Sequence, residues 1–220
     1  MNISNLTLYG TSHISKDSVE GVRKIIEEDK PDIVCLELDR NRFMGLNDNS
    51  KKRISIKEIS RLGFKGFIFA AVGSYVQRKL GNIVKTDPGS EMKEVVKLAK
   101  KNRFKIMLID RDIRTTLKRF SKAWKIKDTF VLIKEFFMGF FKKKELKFKL
   151  SEVPSEEVID ELILEVKNKF PAIHQVLIEE RNKYMSVNIL RIMHQFPEAK
   201  VLAVVGAGHK KGMLEILNNN

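Results

Sequence analysis

Cysteine is almost missing from this chain, with one, Cys35, among 220 residues. A lone thiol has no internal partner, so a disulfide framework is excluded and a reducing, cytoplasmic setting fits best. Its place in the apolar run Ile33-Val-Cys-Leu36 is that of a small buried hydrophobe. Long apolar runs are missing too. The stretches from Phe67 to Tyr75 and from Phe136 to Phe141 fall well short of the roughly 20 residues a membrane span requires. The opening Met1-Asn-Ile-Ser-Asn5 lacks the apolar segment of a secretory signal. Neither a Gly-x-Gly-x-x-Gly fingerprint nor a phosphate loop occurs, which excludes nucleotide cradles of those types.

What is present suits a folded protein. Hydrophobic residues make up 43% and charged residues 32%. The length fits one domain, 1–220, able to bury its own core. The net charge of +14 is unevenly spread: Lys100 to Leu150 holds 17 Lys or Arg against 5 Asp or Glu. A basic block meets nucleic acid, anionic lipid or only water. High Lys, Ile and Glu content also matches thermophile-like composition, in which lysines are simply solvated.

The pattern is α/β, with a mostly parallel sheet flanked by helices and a basic helical excursion at about 114–170. Leu6-Thr-Leu-Tyr9 reads as a strand ending at Gly10-Thr-Ser-His13. A helix follows over Lys16 to Asp29, with Val19, Val22, Ile25 and Ile26 as its stripe. The next strand, Ile33 to Leu36, ends at Glu37-Leu-Asp39-Arg40, and the crossover predicts these two strands as parallel neighbours. Asn41 to Lys52 reads as a polar loop and Ser55 to Leu80 as a helical region broken by glycines. Beyond the Thr86–Gly89 turn comes a helix from Ser90, then the strand Phe104 to Ile109 ending at Asp110-Arg111-Asp112. A long helix opens at Pro171 and reaches about Gln195. The last strand, Lys200 to Val205, runs into Gly206-Ala-Gly-His209.

Polar groups therefore gather where strands stop, at the carboxyl edge where open α/β sheets place their sites. The two Gly-x-x-His units stand at opposite ends of the chain and suggest one site built from both. Each piece alone has an ordinary reading, a helix cap or a surface group; their coincidence at one edge shifts the balance. Imidazoles with carboxylates can bind Zn, Mn, Fe or Co and activate a water. Alternatively a histidine acts as base while arginines hold negative charge. Glycine three residues before each histidine lets the backbone bend and approach a ligand. Glu37 follows an apolar strand, so its carboxylate is expected to need Arg40, Arg111, Arg181 or a metal within reach. His174 and His194 read as ordinary helix residues.

These pieces resemble the TraB (pheromone-shutdown) family, distantly related to the Tiki proteases. The matching stretches are Gly10-Thr-Ser-His13, Glu37-Leu-Asp-Arg40, Pro88-Gly-Ser-Glu91-Met92, Leu108-Ile-Asp-Arg-Asp112, Glu180-Arg-Asn-Lys-Tyr-Met185 and Val205-Gly-Ala-Gly-His209. The resemblance implies one pocket with His13, Glu37 and His209 as metal ligands and Glu91, Asp110, Arg111, Glu180 and Arg181 as catalytic or supporting groups. It implies a metal-dependent peptidase acting on peptides, or a non-catalytic module that binds a peptide or partner. Relatives of this type often continue into a C-terminal membrane segment, whereas this chain stops at Asn220.

The phenylalanine-rich stretch from Phe130 to Phe141 gives a helix a wide apolar face bordered by lysines. Packing within the chain or against a second copy in a homodimer is the first expectation, and an anionic membrane surface the second. Nucleic acid comes last, because the phenylalanines sit at core spacing rather than as a stacking platform.

Overall fold

The computed structural model of the protein describes residues 4–11, 16–47, 90–141 and 156–219. Strand β1 (Leu6–Thr11), helix α1 (Lys16–Asp29), strand β2 (Ile33–Leu36) and helix α2 (Arg40–Asn47) come first. Helix α3 (Ser90–Asn102) leads to β3 (Lys105–Leu108). Helices α4 (Ile113–Ala123), α5 (Ile126–Phe141) and α6 (Glu156–Lys169) follow. Then α7 (Pro171–His174), a π-helical turn (Gln175–Glu179) and α8 (Glu180–Gln195) run on without a break. Strand β4 (Val201–Gly206) and helix α9 (Ala207–Asn218) complete the order.

The four strands form one parallel sheet in the order β1-β4-β2-β3. The first two strands are thus parallel but not neighbours, against the expectation from their crossover, because β4 lies between them. Burial gives the reason. All six residues of β4 are buried, so it belongs at the centre, whereas β1 alternates with more exposed positions and takes an edge.

Alternation along the strands sorts the core into two layers. Ile33, Cys35, Val201, Ala203 and Val205 face Met185, Ile189, Ile192 and Met193 of α8 with Met213 and Leu217 of α9. Val34, Leu36, Leu202 and Val204 face Val22 and Ile26 of α1 and Met92, Val95 and Val96 of α3. Cys35 is wholly buried, and burial pushes its thiol up to about 12, so it is the inert hydrophobe its run implied. A third, smaller cluster joins Phe120, Leu132, Phe170, Ile173 and Val176.

Three local expectations change. Arg40–Asn47 is helical, not loop, because the Asp39 carboxylate accepts from the main-chain nitrogens of Asn41 (2.8 Å) and Arg42 (3.0 Å) and caps the helix. The basic excursion breaks at Trp124-Lys125, where Asp128 accepts from the Lys125 nitrogen at 2.8 Å and restarts the helix. Gly10 makes no turn: it lies inside β1, and a Cβ there would come within 3.2 Å of the Ala207 Cα. Its missing side chain lets α9 close onto the strand. His13, the expected cap at Ser15, the polar stretch from Asp48, the helical region at 55–80, the turn at 86–89 and residues 142–150 lie outside the described residues.

Loss of the α2 cap is measurable. Asp39→Ala should lower stability by about 1 kcal/mol, while Asp39→Asn keeps an accepting oxygen and should retain most of it. Urea denaturation compares the two. Equal losses would mean that the ion pair from Asp39 to Arg42 (2.7 Å) matters rather than the cap.

Candidate functional site

Strand ends dictate where the charges fall. Glu37 follows β2, and its main-chain nitrogen still donates to Val204 O, which keeps the residue at the sheet edge. Its side chain is 7% exposed. Oε2 accepts from the Gly206 nitrogen at 2.6 Å, at the amino end of α9, where main-chain N–H groups favour an anion. Oε1 accepts from Arg181 Nη2. Asp110 stands two residues after β3, opposite Leu38 in the register, and its own nitrogen donates to Leu38 O. Arg181 binds both Asp110 oxygens, at 3.2 and 2.7 Å, and Arg42 binds one.

All five N–H groups of Arg181 are thereby engaged. Nε and Nη2 meet Asp110, Nη2 also meets Glu37, and Nη1 meets Leu177 O (3.3 Å) and His209 Nε2 (3.0 Å). Burial works against charge on Arg181, but Glu37 and Asp110 outweigh it and keep the guanidinium protonated. Burial alone would push the Asp110 carboxyl up. The hydrogen bonds and charges of Arg181 and Arg42 overcome this and hold it below the usual carboxylate range.

A second group lies beside the first. Arg111 gives Nε to Thr116 Oγ1 (3.0 Å), Nη1 to Glu180 Oε2 (2.9 Å) and Nη2 to Val176 O (2.6 Å). Arg119 of α4 also binds Glu180 through two nitrogens. Its hydrogen bond lowers the Glu180 carboxyl most, burial opposes it, and Arg111 adds to the lowering. The acceptors Val176 O and Leu177 O both belong to the π-helical turn, so the two site arginines pin that wide turn from either side.

His209 sits in the first turn of α9 and is 5% exposed. Arginine can only donate, so Nε2 must accept from Arg181, and the ring proton goes to Nδ1. Nδ1 then donates to Asn182 Oδ1 at 2.6 Å. The lone pair on Nε2 stands 3.5 Å from Glu37 Oε1. Gly212 is where Asn182 packs on α9: a Cβ there would collide with Asn182 Nδ2.

Among the expected site residues, Glu37, Asp110, Arg181 and His209 therefore meet around one guanidinium, and Arg111 with Glu180 forms the adjoining group. The carboxylate of Glu37 has an arginine within reach, and that arginine is Arg181. Glu91 falls in the first turn of α3, but its side chain, like all of His13, lies outside the described residues. Among the described residues no group of three or more His, Cys, Asp or Glu is placed to hold a metal. Glu37 Oε1 and His209 Nε2 both face the Arg181 guanidinium, a cation already in the place where an ion would sit. As arranged, these residues alone do not fit a divalent metal. His174 is buried and pairs with Glu179 at 3.2 Å, and His194 is exposed, in line with their ordinary reading.

Sequence reasoning passed over Arg42, Asn182 and Arg119. Arg42 is three residues after Asp39 on a helix expected to be loop, and Asn182 adjoins the Glu180-Arg181 pair. Arg119 sits in a basic run whose default reading is solvated.

This is an α/β protein with a buried ionic site at the carboxyl edge of a parallel sheet. The model of the TraB/PrgY/gumN family matches residues 2–220, and the chain belongs to that family. It is similar to an uncharacterized protein of Methanocaldococcus jannaschii, 33% identical over 220 residues, which cover 99% of this chain and 54% of that protein. It is also similar to TraB domain-containing proteins of Bos taurus (25% identical) and Homo sapiens (26% identical), each over 238 residues, covering 96% of this chain and 62% of theirs. The chain thus spans between about half and three-fifths of the length of these relatives.

Removing the shared cation should be severe. Arg181→Met takes from Glu37 and Asp110 the buried cation they share, leaving Asp110 with Arg42 and Glu37 with the Gly206 N–H, and should cost about 3–5 kcal/mol in a denaturant titration. Arg181→Lys should recover little, because three N–H groups cannot serve five acceptors. A loss below about 1 kcal/mol would show the pairs to be solvent-screened instead.

The acid limb carries a second expectation. Asp110 and Glu180 both titrate lower folded than unfolded, so their stabilisation is full above the ordinary carboxylate range. It is lost as pH falls through their folded values. Urea midpoints should drop on acidification below about pH 4, and Asp110→Asn should make that drop shallower. An unchanged slope in the variant would exclude Asp110 as a contributor.

Proposed function

We propose that the chain is a hydrolase acting on peptide or peptide-like bonds, with its reacting end over the carboxyl termini of β1 and β4. What supports this reading is His209, a buried imidazole whose tautomer follows from Arg181 on Nε2 and Asn182 on Nδ1 and whose Nε2 lies 3.5 Å from the Glu37 carboxylate. An imidazole so oriented can take a proton from a water that attacks an acyl carbon. That water must replace the Arg181 N–H now donating to Nε2, and the released N–H is then placed to receive negative charge from the carbonyl oxygen. Glu37 fixes Arg181 and Gly206 around the ring. The register of β1 against β4 puts Thr11 opposite Gly206, so the strand leading towards His13 ends beside the one leading to His209.

A divalent ion of the kind the family resemblance implies (Zn, Mn, Co or Fe) would supply Lewis acidity and a more acidic water. Arg181 stands between His209 Nε2 and Glu37 Oε1, where such an ion would have to sit, so no step above passes through it.

The second reading, a module that binds a peptide or partner without turnover, draws on one observation: every N–H of Arg181 already has an acceptor inside the protein.

Quenched-fluorescent peptide libraries separate the two. Assays would run with Zn, Mn or Co added and, in parallel, with chelator, beside elemental analysis of protein purified without chelators. Hydrolysis that falls at least about 100-fold in His209→Gln, with an unchanged melting temperature, is the expected result. Peptide binding with no turnover in either protein would overturn the hydrolase in favour of the module.

A further inference from the structure

We propose that α4 and α5 form a docking surface for an anionic lipid bilayer. Ile126, Phe130 and Ile133 are 79%, 68% and 47% exposed. They recur at i, i+4 and i+7, so they share one face of α5. That face is held outward by its opposite side. Leu132 packs in the cluster with Phe120 and Phe170, and buried Asp128 caps the start of the helix. The Trp124 indole donates to Thr129 Oγ1 at 3.0 Å and its ring lies 5.1 Å from that of Phe120, which locks the junction between the two helices.

The two helices are also rich in exposed cations. From Ile113 to Lys134 there are seven Lys or Arg and a single acid, Asp128, which is buried. Arg119 is taken by Glu180. The other six, Arg114, Lys118, Lys122, Lys125, Lys127 and Lys134, are exposed and make no ion pair with a described residue.

Three kinds of occupant could cover such a face, and charge selects among them. A second copy of the chain would bring an equally basic rim against this one, so burial of the stripe would be opposed by like charges. A nucleic acid would satisfy the lysines but leave Ile126 and Ile133 without a role, since aliphatic groups do not stack on bases. An anionic bilayer meets both demands. The aliphatic and aromatic groups enter the boundary between headgroups and acyl chains while lysines reach the phosphates. Among the described residues no helix is long and apolar enough to cross a membrane.

Vesicle co-sedimentation of the full chain tests this. Vesicles of phosphatidylcholine with about 30% phosphatidylserine should bind the protein at low salt, at least about tenfold better than phosphatidylcholine alone, and about 0.5 M salt should release it. Phe130→Asp with Ile133→Asp should reduce partitioning at least about tenfold without changing the solution mass. Lys127→Glu with Lys134→Glu, at exposed positions that leave the apolar stripe intact, should reduce it by about the same factor. Should circular dichroism show that the aspartate pair misfolds, the glutamate pair decides. Equal binding to neutral vesicles, or none to either, overturns the proposal. So does an aspartate pair that turns a dimer into a monomer with no vesicle binding in either form, which would assign the stripe to a second copy.

Discussion

A single guanidinium holds the carboxyl edge together. β2 and β3 are neighbours and each is followed within two residues by an acid, so Glu37 and Asp110 arrive close together under little solvent. Two such carboxylates are tolerated only with a cation and enough donors between them. Arg181 provides both, and it comes from α8, the helix whose Met185, Ile189 and Ile192 cover the same end of the molecule's core. Ion pair and apolar packing therefore depend on one helix position. Shifting α8 to improve either would break the other.

From that centre the charges alternate outward. Asp110 reaches Arg42, which reaches Asp39, the cap of α2. On the other side Arg111 and Arg119 share Glu180, tying α8 to α4. Among the described residues four carboxylates stand with four guanidinium groups, so their charges balance inside a chain of +14. The π-helical turn belongs to this arrangement. Its carbonyls at Val176 and Leu177 accept from Arg111 and Arg181, so the irregular stretch of the long helix is also the stretch bonded to the site. Irregular helix held by functional side chains is a common mark of sites under local constraint.

Strand ends and helix stripes were legible because each depends on neighbours in sequence: alternation in β2 and β4, the 3–4 spacing of Val22 and Ile26, charge where the apolar runs stop. The order of the sheet was not, since nothing local says that the last strand inserts between the first two. Only its burial on all sides does. Helix α2 was hidden for a related reason. Its residues have weak helical preference, and one cap from Asp39 tips them, a tertiary detail within a polar stretch. Identities at the site were partly legible, as with Glu37, whose apolar strand demanded a counter-charge. The partner was narrowed to Arg40, Arg111, Arg181 or a metal; which of them it is was not legible, because 144 residues separate Glu37 from Arg181. Arg119 gave no signal at all, being one cation among many in a basic helix.

Charge balance among the described residues of the cluster divides the molecule's charge into two kinds with different physics. Inside, each charge has a partner deprived of water, so removing one strands the other and the effect falls on stability before chemistry can be read. For the cluster, isosteric changes such as Asp110→Asn are more informative than truncations, because they keep shape and one accepting oxygen while removing charge. Around α4 and α5 the cations face solvent, where altering one costs the fold little. These cations stand apart from the described ion pairs of the site, so altering them leaves those pairs intact. Arg119 is where the two kinds meet: half exposed on α4, yet bound to Glu180 at the edge of the cluster. A charge arriving at the basic surface would compete with Glu180 for that guanidinium, and Glu180 shares its other contact with Arg111, which holds the π-helical turn.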